Sequence, residues 1–136
     1  MLDRQIDRAI DPTAARGIGY EPTYSGVPSL FRRPFSTTPG SADIAVLGVP
    51  LDLATTNRPG ARFGPRAVRA ASTNLSWDGA SWPWGFDPFL ALEVTDCGDC
   101  FFDPGHPGEI VPAIEERATE LTSGGASLVS IGGDHF

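Results

Sequence analysis

Cysteine, histidine and methionine are scarce here: two cysteines, two histidines and one methionine among 136 residues. The cysteines form Cys97-Gly98-Asp99-Cys100, a spacing that suits a redox pair or half a zinc site. A zinc site wants two further ligands, and His106 and His135 are all that remain. A thioredoxin-like pair wants a helix after its first cysteine, whereas Phe101-Phe102-Asp103-Pro104-Gly105 has the composition of a loop. Small buried hydrophobes at a strand end are therefore the preferred reading of Cys97 and Cys100. Long apolar runs are missing too, none approaching the roughly eighteen residues of a membrane helix. Met1 to Asp7 has no apolar core of a secretory leader, so a cytoplasmic protein is expected. Basic residues are the minority, 10 against 17 acidic, for a formal charge of -7. That balance opposes nucleic acid and anionic membranes as partners and gives slight favour to a cationic substrate. A dinucleotide fingerprint is also absent: Gly48-Val49-Pro50 is not G-x-G-x-x-G, and Pro50 removes an N–H that a phosphate would use.

What is present is one domain's worth of globular sequence, 40% apolar. Leu2 to Arg16 has the spacing of a short amphipathic helix interrupted near Pro12. Gly17 to Gly40 is rich in proline and glycine and should run extended, with Tyr20, Tyr24, Leu30, Phe31 and Phe35 as anchors against the body or another subunit. Residues 1–42 are thus an arm, and 43–136 an α/β body.

The body alternates. Asp43 to Val49, ended by Pro50, predicts a strand buried on both faces. After a long loop, Gly64-Pro65 opens a helix, with Ala67, Val68, Ala70 and Ala71 as its packing face. Arg58, Arg62, Arg66 and Arg69 could bind an anion, or could brace loop carboxylates or a subunit contact, which an acidic chain favours. Three tryptophans, Trp77, Trp82 and Trp84, lie among turn formers and need burial somewhere. Leu90 to Asp96 predicts a second strand, ending at Asp96 and Asp99, which could be ligands but more commonly cap a turn or hold an arginine. His106 falls in a solvated loop. The stripe at 110, 114, 118 and 121 predicts a helix beginning close to Pro112. Ala126 to Ile131 predicts a buried third strand. Crossovers of this length imply parallel pairing and a right-handed sandwich with helices on its faces.

The third strand runs into Gly132-Gly133-Asp134-His135, where ligand-binding groups collect in open α/β sheets. A neutral imidazole at His135 can bind a divalent metal, with the Asp134 carboxylate as a possible supporting partner. A turn histidine bonded to backbone is the plain alternative, and one histidine is not a metal site.

Gly48-Val49-Pro50-Leu51-Asp52, Arg58-Pro59-Gly60-Ala61-Arg62-Phe63-Gly64-Pro65, Asp96-Cys97-Gly98-Asp99 and Gly132-Gly133-Asp134-His135 together resemble the ureohydrolases, the arginase and agmatinase family, in order and separation. Ser72-Thr73-Asn74-Leu75-Ser76-Trp77, Trp82-Pro83-Trp84-Gly85-Phe86-Asp87, Phe136, and the arm from Tyr24 to Pro34 look more like agmatinases than arginases. The resemblance implies a three-layer α/β/α fold around a parallel sheet, of which this chain would be the amino-terminal part. It also implies two Mn²⁺ ions bridged by a hydroxide that attacks a guanidinium carbon and releases urea, and trimeric or hexameric assembly. Agmatine plus water giving putrescine and urea is the implied reaction, in polyamine synthesis, with guanidinobutyrate or a related compound as the alternative substrate. Of the implied metal ligands, His135 alone maps onto this chain; the others and the proton-transfer residues would follow Phe136. The 136 residues by themselves are then expected to be inactive. A non-catalytic α/β binding or assembly module is the alternative of another class.

Overall fold

The computed structural model describes residue 24, residues 26–77, residue 83 and residues 85–134. The helix expected over 2–16, Tyr20, Trp82, Trp84 and His135 lie outside the described residues, as does the side chain of Trp77.

Three parallel strands form one sheet: β1 (Ile44–Val49), β2 (Val94–Asp99) and β3 (Ser127–Gly132), in the order β2-β1-β3. Two helices carry the crossovers, α1 (Gly64–Ser72) and α2 (Ile110–Thr122). The first crossover moves one way from β1, and the second returns over β1 to its other side. With a right-handed connection each time, α1 and α2 must cover opposite faces. Side chains agree. Ala45 and Leu47 pack with Leu121 and Ile114 of α2, while a Cβ on Gly48 would touch Pro65 of α1. The chain is thus α/β, helices on both sides of a parallel sheet.

β1 is buried from Ala45 to Leu47, as a central strand should be. β3 is also a strand where expected, yet it is not buried: it forms an edge, with Val129 43% exposed and Leu128 and Ile131 half-buried. Among the described residues β3 has a neighbouring strand, β1, on one side only.

The second strand begins later than its apolar pattern suggests. Asp87 accepts the N–H of Phe89 (3.0 Å), starting a 3-10 turn over Pro88–Leu90, and Leu92 N–H closes back on Pro88 O (3.0 Å). Proline inside a side-chain-capped turn outcompetes the strand preference of the leucines. Leu90 and Leu92 are exposed, and pairing runs from Val94 through Asp99.

The arm meets its aromatic-anchor expectation only in part: Phe31 packs on Phe89 of the body, ring centroids 5.2 Å apart. Tyr24 and Phe35 are exposed, and Leu30 and Phe31 only half-buried. Ser29, Arg32 and Arg33 are buried instead. Hydrogen bonding explains the exchange: Arg32 Nη1 donates to Val27 O (2.9 Å), Arg33 Nε donates to Phe31 O (3.1 Å), and the Arg33 guanidinium lies 4.3 Å over the Phe89 ring. Phe31 and Arg32 adopt left-handed backbone, φ 48 and 54, to make this compact turn. Beyond it the arm pairs in parallel with β2, Phe35 opposite Asp96.

Candidate functional site

In a parallel sheet the carboxyl ends of the strands gather the functional loops. Here three segments meet: 50–63 after β1, 100–109 after β2, and the turn at 133–134 after β3. Leu51 backbone sits so close to Gly133 that a Cβ on that residue would overlap Leu51 O, so only glycine fits. Asp134 N–H then donates to Leu51 O (2.7 Å), and the Asp134 carboxylate accepts Ala54 N–H (2.8 Å). That carboxylate, read from sequence as support for a ligand at His135, is engaged with the β1 loop.

The same loop is closed at its base by Asp52, a residue whose role the sequence did not reveal. Its carboxylate, 8% exposed as a residue, accepts Gly60 N–H (2.9 Å) and the Arg62 guanidinium (3.2 Å). Asp52 side-chain oxygens thus bond residues eight and ten positions on, and the intervening segment loops outward. Leu51, Asp52, Leu53 and Arg62 form one side of a cleft of about 290 Å³ whose other side is Phe101 and Phe102.

The four arginines divide. Arg62 braces Asp52, and Arg69 is buried in an ionic cluster; Arg58 and Arg66 are exposed. Arg69 gives Asp96 a bidentate pair, Nε to Oδ2 at 2.7 Å and Nη2 to Oδ1 at 2.9 Å, and bonds Asp99 through Nη1. Burial disfavours the guanidinium charge, but the hydrogen bonds and field of Asp96 and Asp99 outweigh it and raise its pKa. Asp96 also accepts Leu30 N–H (2.8 Å) and Gly98 N–H (3.0 Å), so its carboxylate is fully occupied. Both aspartates were candidate ligands or arginine partners; the structure makes them arginine partners.

Residues three apart on a regular strand face opposite sides. Asp96 and Asp99 share a side because β2 bulges: Val46 faces Asp96 while Gly48 faces Asp99, so two steps of β1 match three of β2. Gly98 absorbs the extra residue at φ 76. Gly48 provides the room, since a Cβ there would collide with the Asp99 carboxylate. Two glycines of the sequence motifs thereby serve one ion pair.

Helix α1 corrects another expectation. Its buried residues are Pro65, Arg69 and Ser72, while Ala67, Val68, Ala70 and Ala71 are exposed. The face that looked apolar points outward because the ionic cluster sits under the other one. Ser72 accepts Phe31 N–H (2.8 Å), fastening the arm beside Asp96.

Cys97 and Cys100 are free thiols in the core cluster with Ala45, Leu47 and Leu121. Burial raises both pKa values, partly offset by Arg117. Neutral, buried thiols behave as small hydrophobes, as expected. His106 is exposed, its Nδ1 2.8 Å from Asp103. The Asp103 carboxyl is held below its usual range by Gly105 N–H and by His106.

Among the described residues no three imidazole, thiol or carboxylate groups converge on a point that could hold a metal ion. The candidate ligand read from the sequence, His135, lies outside the described residues. Nor, among the described residues, is any helix long and apolar enough to cross a membrane.

Comparison with known proteins agrees with this architecture. The agmatinase of Chromobacterium violaceum is 47% identical over 138 residues, spanning 100% of this chain and 42% of that protein. That of Edwardsiella ictaluri is 42% identical across 88% of this chain and 41% of its own length. The chain thus spans about two fifths of the curated relatives it matches. Among solved structures, a hypothetical agmatinase from Burkholderia thailandensis superposes with a TM-score of 0.77 at 52% identity, over 84% of this chain and 36% of that one. Proclavaminate amidino hydrolase from Streptomyces clavuligerus superposes at 0.75 with 32% identity, over 85% of this chain and 38% of that one. The bulged β2, the braced β1 loop and the Gly-Gly-Asp turn after β3 fall within residues 42–136, which the arginase family model matches, and the chain belongs to the arginase family.

Proposed function

We propose that the protein built on this chain hydrolyses agmatine to putrescine and urea, with His135 as one ligand of a two-manganese centre. The observation that carries the reading is identity to an agmatinase along the whole chain, 47% over 138 residues. The chemistry is coherent with it. A guanidinium carbon is deactivated by resonance, and metal ions, when bound, lower the pKa of water so that a nucleophile exists near neutrality. The described residues supply the scaffold: a sheet that delivers three loops to one edge, and a β1 loop braced by Asp52 and Asp134. The acidic balance, -7, favours approach of a cationic substrate. Cytoplasmic polyamine synthesis and a trimeric or hexameric assembly belong to the same proposal.

A second substrate is kept open by one observation: a proclavaminate amidino hydrolase shares the fold at 32% identity. Guanidinobutyrate or a related guanidino compound would use the same scaffold.

Colorimetric urea release by the whole protein, with Mn²⁺ and either agmatine or guanidinobutyrate, decides between them. Turnover of agmatine above guanidinobutyrate is expected; the reverse order replaces the substrate, and no urea from any guanidino compound removes the hydrolase. Reading the coding frame past residue 136 tests the non-catalytic alternative, since the hydrolase needs further aspartate-bearing ligand motifs. The 136-residue chain alone is expected to release no urea.

A further inference from the structure

The Asp134 carboxylate braces the β1 loop from the β3 exit, and the hydrolase reading gives that bond no part in binding or catalysis. It accepts Ala54 N–H at 2.8 Å, its own N–H donates to Leu51 O at 2.7 Å, and Gly133 before it has no space for a side chain against the Leu51 backbone. These contacts join positions eighty apart in sequence. The joined segment, Leu51 to Ala54, runs directly into the Asp52-closed loop, and its Leu51 and Leu53 line the 290 Å³ cleft. The segment therefore touches both the peptide leading into His135 and the cleft.

We propose that Asp134 is a positioning residue that staples the β1 loop to the peptide carrying the candidate ligand, and so sets how well a guanidino substrate is held rather than how well metal is bound. The inference rests on the hydrolase reading for its substrate and on the geometry for the staple. Leu53, Thr56, Asn57 and Arg58 are exposed, so the loop depends on its ends for order. Asp52 fixes one end and Asp134 the other. Without the second, the loop must be ordered each time substrate binds, a cost that appears in affinity. A charge-assisted hydrogen bond at a partly exposed site makes this a roughly tenfold effect.

The test uses the whole, manganese-loaded protein. Asp134→Ala should raise KM for agmatine roughly tenfold, leave kcat and bound manganese per chain near wild type, and speed hydrogen exchange at the Ala54 amide. Asp134→Asn should restore KM and exchange together, because its amide oxygen accepts the same N–H. Loss of manganese and kcat in Asp134→Ala, with KM unmoved, would make Asp134 a metal-supporting residue and overturn the proposal. Should Asp134→Ala fail to fold, exchange in the wild-type protein still decides: Ala54 must be slower than Thr56, and equal rates refute the staple. A wild-type protein that releases no urea from agmatine sinks the substrate reading, while the Ala54 exchange judges the staple independently.

Discussion

On the α2 side the sheet buries Ala45, Leu47 and Cys97 with Leu121, an apolar contact, whereas on the α1 side it buries Asp96 and Arg69 beside the room that Gly48 leaves for Asp99. The same three strands serve both. The apolar side needs only volume and shape, so many sequences would fill it. The ionic side needs matched charges, a bulge and a glycine together, and it connects pieces the apolar side cannot reach. Asp96 alone bonds α1, its own strand and the arm. Arg117 performs a related task from the α2 face, donating to Thr37 O (2.6 Å) and Cys97 O (3.3 Å), so the arm is held from both sides of the sheet. Ionic burial here gives connectivity, and apolar burial gives cohesion.

Breaking one partner on the ionic side should have the largest effect. Asp96→Ala leaves a buried guanidinium without its bidentate acceptor and is expected to cost about 4 kcal/mol, read from urea-unfolding midpoints. The contrast sharpens with Arg69→Met/Asp96→Leu, which removes both charges and should be less destabilising than Asp96→Ala alone; a larger loss would mean the pair contributes cohesion after all. Next comes the apolar side, where Leu121→Ala, at a fully buried position, should cost about 3 kcal/mol through cavity formation without moving the arm. Gly48→Ala should follow at roughly 2 kcal/mol, because its methyl group pushes Asp99 away from Arg69. Its signature is faster hydrogen exchange at Leu30 and Phe31, whose amides are tied to the ionic side; unchanged exchange there would separate the glycine from the cluster.

The smallest effect is one of pH. Burial holds the Cys97 and Cys100 thiols above the ordinary value of 9.0, so as pH rises the unfolded chain gives up those protons first. Their contribution to stability is intact below that value and falls as pH climbs through it and beyond. Melting curves at increasing alkaline pH should therefore drop faster for wild type than for Cys97→Ala/Cys100→Ala.

Much of the apolar architecture was legible in residue order. Asp43 to Val49 announces a strand buried on both faces by a run ended at Pro50, and the stripe at 110, 114, 118 and 121 announces a helix; both formed, as Ile44–Val49 and Ile110–Thr122. Arg69 was legible as one of four arginines suited to brace loop carboxylates, though not as the centre of a buried cluster. Its helix showed alanines on one side and arginine on the other, and amphipathic reasoning turned the alanines inward. Leu90 and Leu92 misled in the same way, since an apolar pattern carries no record of the Asp87-capped turn that claims them. Asp134 was read as support for His135 and Asp52 was given no role; that each closes the β1 loop became visible only with Ala54 and Gly60 in place.

By itself, residue order determined the alternation of strand and helix, the parallel pairing and the family, because periodicity, proline and glycine act locally and are written locally. Which polar groups went inside was decided only in three dimensions. A carboxylate is affordable in a core when an arginine, a bulge and an empty Cβ position arrive from distant parts of the chain at one place, and no local pattern encodes that meeting.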